Sequence, residues 1–504
     1  MRRGGLARAA GLAGLAVLTC CELAGCDLAP SYRPPHPLLP ASYQGSAPFR
    51  VAHPLDRLPR GPWWQSFGDP VLDTLEARLE LDNPNLLAAY EAYTQSRDLA
   101  GEARSGLFPQ MNADAGTTDN KQSQHRLFRG SPTGTNEQSS NTIGATVAWD
   151  PDLWSRIRNE TKLYKEQAQA TAADVANARL SLEVQLASDY IALRGLDTQH
   201  YVYQQSIALY RKAVGITSMR LAGKIASGLD VARAQNQLAA AEAEDSATLA
   251  SRATLQHAIA VLTGTNPSSF SIAPVAEAHL TVPVIPAGVP STLLQRRPDI
   301  AAAERDMAAA SAAIGVSRAA FYPDVTISLQ SGFQDYGWSL ASLTNSMWAV
   351  GASALLPLFE GGLRKAELQR SWSSYSQTAD NYRATVLTAF QQVEDGLSLT
   401  GILATELSQQ VAAVRSADKA QDMTLALYTG GLDNYLDVTV SQVYALTAQI
   451  AAVQVETTRL QAAVNLIGAL GGGWSTGELP TPDQTLPFNP LSPARSPGDV
   501  HTPG

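Results

Sequence analysis

Cys26 is the residue whose neighbours most clearly prescribe a reaction. It follows Leu23-Ala24-Gly25. These come shortly after an apolar and small stretch, Ala9 to Leu18, which itself follows Arg2, Arg3 and Arg8. That order reads as a signal peptide, residues 1–25, ending at a lipoprotein cleavage site. The Cys26 thiol is then expected to carry a diacylglycerol, and its freed amine an N-acyl chain such as palmitate. Cys20 and Cys21 lack the Leu-small-small approach and fall in the removed segment. The mature chain would keep one acylated cysteine and no disulfide, and its side-chain charge would move from −9 to −11 as three arginines and one glutamate leave. Several acyl chains anchor firmly where one does not.

Other candidate chemistry is thin. The seven histidines, His36, His53, His125, His200, His257, His279 and His501, form no pair at metal-ligand spacing. Arg296 and Arg297 beside Asp299 read as an ion-pair and capping cluster at a helix entry. Gly471 to Gly473 lack the Lys and Ser/Thr of a phosphate loop. No catalytic residue, metal or cofactor beyond the acyl groups is expected, so an enzyme is excluded. The negative net charge gives no reason to expect nucleic acid as a partner.

The elements that carry these residues are long. Gly361 to Leu427 and Arg156 to Leu221 span 67 and 66 residues without proline. Apolar residues recur in the first at helical spacing, as at Leu387, Phe390, Val393 and Leu397. Each run predicts a rod about 100 Å long, which must be flanked by other long helices along its length. Only 16 % of residues are charged, and alanine is abundant. Such helices can approach closely, as the staves of a wall must. No further run of 18 apolar residues is present, so no transmembrane helix is expected.

In chain order, residues 26–62 form a Pro-rich extended strap with nine prolines from Pro30 to Pro62. Residues 63–262 form a first unit. Asp69 caps a helix opened by Pro70, and Pro84 opens the next. Met111, Ala113 and Ala115, then Ile143, Ala145, Val147 and Trp149, alternate with polar or small residues as two strands around a polar loop, Thr117 to Asn141. A rod, a turn at Ser227-Gly228-Leu229-Asp230 and a helix to Leu262 follow. An irregular connector, 263–297, leads to a second unit, 298–473, and a Pro-rich tail, 474–504.

The second unit repeats the first. Pro298 and Pro323 stand 214 residues after Pro84 and Pro109. Val325, Ile327, Leu329, Ser331 and Phe333, then Trp348, Val350, Ala352 and Ala354, give two more strands. Gly430-Gly431 ends the second rod. The fold class is therefore α+β, with an internal twofold repeat and four strands per chain. Four strands cannot close a barrel, and an open edge in lipid is forbidden. Three copies give twelve strands, within the range of membrane barrels. Two copies give eight, whose interior side chains fill.

Several stretches together carry a resemblance. They are Pro290-Ser291-Thr292-Leu293-Leu294-Gln295-Arg296-Arg297-Pro298-Asp299-Ile300, Ala319-Ala320-Phe321-Tyr322-Pro323, Trp63-Trp64 with Phe67-Gly68-Asp69-Pro70, and Pro357-Leu358-Phe359-Glu360-Gly361-Gly362. In this order and spacing the chain resembles the outer membrane factor lipoproteins, the TolC- and NodT-like exit ducts of tripartite efflux systems, over residues 26 to 474. Arg296, Arg297, Pro298, Asp299 and Pro323 are its structural family motif. The resemblance implies a homotrimer: a twelve-stranded barrel in outer-membrane lipid, continued by a periplasmic α-helical tunnel. It also implies a periplasmic adaptor and an inner-membrane RND-type transporter as partners, with the adaptor docking at the tip turns of Gly223, Ser227 and Gly228 and of Gly430 and Gly431.

In this family acidic residues narrow the periplasmic aperture after the second turn. The matching residue is Asp437. Some members carry a second Asp where this chain has Val440. Asp230 and Arg233 are candidates for holding neighbouring helices at the closed tip. Passive exit of small molecules is the function this implies. A duct for type I protein secretion has the same fold and stays open, as does a coiled-coil scaffold without a pore.

Overall fold

The computed structural model describes residues 26–34, 43, 61–121, 123, 137–276, 280–283, 285, 290–340, 342–482 and 484–485. The signal peptide, most of the strap and the end of the tail lie outside the described residues. The helices are α1 (Pro70–Asp82), α2 (Pro84–Ser105), α3 (Arg156–Ala222), α4 (Gly228–Leu262), α5 (Pro290–Arg296), α6 (Pro298–Ala319), α7 (Leu363–Thr429) and α8 (Tyr435–Ala469). The strands are β1 (Gln110–Lys121), β2 (Glu137–Trp149), β3 (Asp324–Asp335) and β4 (Ser346–Leu355).

The repeat is present residue for residue in the lengths of three pairs of helices. α3 and α7 each have 67 residues, α2 and α6 each 22, α4 and α8 each 35. α2 and α4 flank α3, and α6 and α8 flank α7. Two short helices together thus run beside one long rod. Near the sheet the helices pack in the order α2, α3, α6, α7, which is the order of the strands they join.

Caps explain where the helices start. Asp69 Oδ1 accepts from Val71 N at 2.8 Å, and its Oδ2 accepts from the Tyr190 hydroxyl at 2.6 Å. Asn83 accepts from Asn85 N and Leu86 N. α3 begins differently: Asp152, not the preceding residue Ser155, accepts from Ile157 N and Arg158 N.

The main apolar core is a belt halfway along the rods. Trp63, Phe67, Leu72 and Leu79 pack there against Leu186, Tyr190, Ile259, Val393, Leu397 and Leu466. Each such fully buried side chain contributes about 1.5–3 kcal/mol. Asp197 binds Arg194 and Arg252, and these donate to the carbonyls of Ala273 and Ile272. This network fastens the start of the connector to α3 and α4.

Several expectations need correction. The connector is not wholly irregular: α5 forms within it, because Pro290 can occupy a helix start. The hairpins are longer than the apolar alternation. β1 and β2 continue to Lys121 and from Glu137 through polar residues, held by backbone pairing and by Ser139 donating to Asp119 at 3.0 Å. Among the described residues one helix, α8, is long and apolar enough to cross a membrane by length and composition. It lies instead along α7 and α3 in the helical wall, with Val438, Ala445, Leu460, Val464 and Leu466 buried and Leu436, Val440, Val443 and Tyr444 exposed.

Candidate channel wall and aperture

The sheet is antiparallel in the order β1-β2-β3-β4, so β1 and β4 are its edges. Register sorts its side chains into two faces. Met111, Val147, Leu329 and Val350 lie in one row across all four strands. Asn112, Thr146, Gln330 and Ala349 make the next row, on the opposite face. The apolar row is not covered: Met111 is 74 % exposed and Val350 66 %. An apolar face left bare on a sheet with a polar back fits lipid on one side and water on the other.

Aromatic side chains mark the foot of the sheet. Trp149 Nε1 donates to the Leu107 carbonyl at 3.1 Å, and Trp154 Nε1 to the Pro323 carbonyl at 2.8 Å. Trp154 stacks on Tyr322 with centroids 4.7 Å apart. This is the expected place of Pro323, at the junction of sheet and helices. Cys26 is exposed here, and its N–H donates to the Leu153 carbonyl at 3.1 Å. Asp27 accepts from Ala29 N and Asn159 Nδ2, so the start of the strap is seated on the helices just below the sheet.

At mid-height the two units close by matched ties. Asn83 Nδ2 donates to the Leu262 carbonyl at 2.7 Å. Arg297 occupies the corresponding place and donates to the Ala469 carbonyl at 2.9 Å and to Gln392 at 2.8 Å. Its other nitrogens bind Asp299 at 2.6 and 2.9 Å. Beside these ties, Gly264 (φ 65°) faces the Asp82 carbonyl and Gly471 (φ 92°) the Arg296 carbonyl. A Cβ on Gly471 would sit 2.0 Å from that oxygen. Arg297, Pro298 and Asp299 therefore join α6 to the end of α8.

The far end holds two turns of the same plan. Gly223 and Gly430 follow the rods, and Lys224 (φ 62°) and Gly431 (φ 78°) take the left-handed position. Ser227 and Asp230 form a reciprocal capping box. Gly228 has open space around its Cα. Asn434 accepts from Asp437 N at 3.2 Å and donates to its carboxylate at 3.1 Å.

Asp437 is exposed, and Asp230 and Arg233 are half-buried. Asp433, sharing a hydrogen bond with Asp437, raises the Asp437 carboxyl above the ordinary range. Asp230 is not joined to Asp437. It lies close enough to Tyr428 and Tyr435 to raise their hydroxyls, after burial, which pushes Tyr435 up to about 12.

Sequence reasoning missed the residues that tie the turns together. Arg220 Nη1 donates to the Tyr428 carbonyl at 2.8 Å, and the guanidinium lies 4.7 Å from the Tyr428 ring centroid. Tyr428 meets Tyr435 edge-on at 5.2 Å, among Ala213, Ala234 and Val438. Arg220 thus binds the negative end of α7 from the other hairpin. The available signals were an arginine in the last turn of α3 and tyrosines seven residues apart across a turn. Among the described residues no group of three His, Cys, Asp or Glu is placed to hold a metal.

The sequence pattern of outer membrane efflux proteins matches residues 77–265 and 289–472. The chain belongs to that family. It is similar to the pyoverdine export outer membrane protein OpmQ of Pseudomonas aeruginosa, with 32 % identity over 82 % of this chain and 88 % of that protein. It is 29 % identical to the outer membrane protein OprJ of the same organism, over 92 % and 96 % of the two chains. The solved structure of the outer-membrane channel OprN superposes with a TM-score of 0.82 at 27 % identity, covering 89 % of this chain and all of that one. The protein is an outer-membrane channel of efflux-type transport, with a long periplasmic helical extension, and not an enzyme.

Proposed function

We infer that three copies form one passive exit duct for small molecules. The observation that carries this reading is the open sheet. Each copy offers a bare β1 edge and a bare β4 edge, with one lipid-compatible and one water-compatible face. Pairing β4 of one copy with β1 of the next abolishes every edge at twelve strands and continues the wall α2-α3-α6-α7 around the axis. Diacylglycerol and an N-acyl chain on Cys26 would add an anchor where the strap is already seated.

The opposite tip is the aperture. Asp437, tripled by symmetry beside Asp433, gives a ring of carboxylates at the mouth. Asp230 and Arg233 face the neighbouring hairpin, and Arg220 holds the two hairpins of one copy together. The turns at Gly223, Ser227, Gly228, Gly430 and Gly431 offer backbone and small side chains for a periplasmic adaptor, which joins the duct to an inner-membrane RND-type transporter. Energy comes from that transporter. Relatives are named for export and efflux of pyoverdine and toluene, which supports small molecules as cargo.

Planar-bilayer conductance of the purified protein tests the aperture. Small, cation-preferring steps are expected, because a ring of carboxylates favours cations. Asp437→Ala should enlarge the steps and lower the cation preference. Unchanged conductance and unchanged ion preference in that variant would remove Asp437 from the gate.

A further inference from the structure

A groove between α2 and α3, just below the sheet, carries charge that passage through a duct does not use. It encloses about 490 Å³, and Arg104, Arg158, Lys162 and Lys165 line it. The carboxylate among its walls, Glu166, is already bound by Arg305 at 2.7 Å. Lys162 is exposed and Lys165 half-buried, and neither is hydrogen-bonded among the described residues. Arg158 also faces Asp152 at 3.7 Å, and Lys162 lies within electrostatic reach of Glu166, so the concavity keeps a net excess of cations in a chain of net charge −9. It also lies in the opening turns of α3, whose own start is capped by the Asp152 carboxylate.

Depth and direction narrow what could neutralise it. The Trp149, Trp154 and Tyr322 side chains lie at the foot of the sheet, the level of a membrane interface. Lys162 and Lys165 follow the start of α3 by roughly 9–14 Å, and long cationic stems reach back toward that interface. The groove opens on the face over which the strap runs. Tyr32 of the strap donates to Glu304, and the adjacent Arg305 binds Glu166 and Gln169, both in the groove wall. That is the face from which Cys26 would reach lipid.

We propose that this groove binds the phosphate-bearing headgroup of an anionic phospholipid in the periplasmic leaflet, fastening the helical wall to the bilayer by charge. The inference rests on the membrane placement of the strands given above. Lys162 and Lys165 supply ammonium donors to the phosphate, Arg158, shared with Asp152, lies on the same helix beside them, and Leu107 meets the glycerol and first methylenes.

Native mass spectrometry of the intact detergent-extracted protein, titrated with phosphatidylglycerol and with phosphatidylethanolamine, tests it. Phosphatidylglycerol should bind about tenfold tighter, since each juxtamembrane cation strengthens binding to anionic lipid severalfold. Lys162→Gln with Lys165→Gln should abolish that preference. Lys162→Arg with Lys165→Arg should keep it, as should Lys212→Gln with Lys419→Gln, which lie far down the rods. Equal binding of the two lipids, or an unchanged preference in the double glutamine variant, would overturn the proposal. So would full competition by free glycerol phosphate, which would make the site one for soluble phosphate. Conductance of the same preparation reads the duct itself, so a failed lipid preference in a conducting protein contradicts only the headgroup site.

Discussion

The two halves of this chain share three pairs of helices of identical length and differ in the side chains that close them. At mid-height the first half uses a neutral amide, Asn83, to hold the end of α4, and the second uses a guanidinium, Arg297, to hold the end of α8. At the tip the first half puts Lys224 in a left-handed conformation that the second gives to Gly431. The first half also buries an acid, Glu76, with neither oxygen bonded among the described residues. The corresponding position in the second half is Pro290. Duplicated geometry fixes the wall, and single residues decide how firmly each half is held.

The largest test of that comparison is Gly471→Ala. The left-handed backbone and the Arg296 carbonyl both exclude a Cβ, so a loss of about 3 kcal/mol or more is expected. Gly264→Ala meets the Asp82 carbonyl at 2.3 Å and should be nearly as severe. Thermal unfolding of both variants checks whether the two halves are equally intolerant here. Next comes Arg297→Ala, which strips Asp299, Gln392 and the Ala469 carbonyl of a shared partner and should cost about 2–4 kcal/mol. Asn83→Ala removes a cap and one tie and should cost about 1–2 kcal/mol. Equal losses would erase the asymmetry between charged and neutral ties.

Glu76 sharpens the contrast through pH. Burial first, then the charges of Glu183 and Glu80, push its carboxyl up to about 10 from an ordinary 4.5. Arg179 is committed to those two neighbours. The folded chain keeps this proton while the unfolded chain releases it. Stability is therefore untouched below pH 4.5 and falls as pH rises toward about 10. Glu76→Gln should flatten that decline, so its melting temperature should exceed the parent's by a margin that widens from pH 6 to pH 9. A constant margin would show that Glu76 is not holding a proton. The smallest stability effect should come from Arg220→Ala, about 1 kcal/mol, yet single-channel conductance should rise as the hairpins of each copy lose their tie. Wild-type conductance in this variant would assign Arg220 to structure alone.

Much of the wall was legible in the sequence. Proline-free runs, Pro84 and Pro298 at matched offsets, and strict alternation at Met111 to Ala115 and Val325 to Phe333 have direct physical causes. Those causes are helix continuity, helix starts and a two-faced sheet. The strand extensions to Lys121 and from Glu137 were hidden because polar residues pair there without an apolar face. α5 was hidden by the prolines around it. At the tip, Asp230 and Asp437 were visible as charges after turns. Arg220, Tyr428 and Asp433 were not, because their partners come from the other hairpin or across the turn, and spacing along one helix carries no record of them.

The central claim is that the bare β1 and β4 edges pair between copies. Cysteines placed across it, such as Ala113→Cys on β1 with a series from Ala349→Cys to Ala354→Cys on β4, test it in intact outer membranes. One register of that series should form disulfides and yield a ladder of linked chains ending at three, alternating down β4 with the strand period. No linkage at any register, or a ladder ending at two, would contradict the trimeric barrel and the duct built on it.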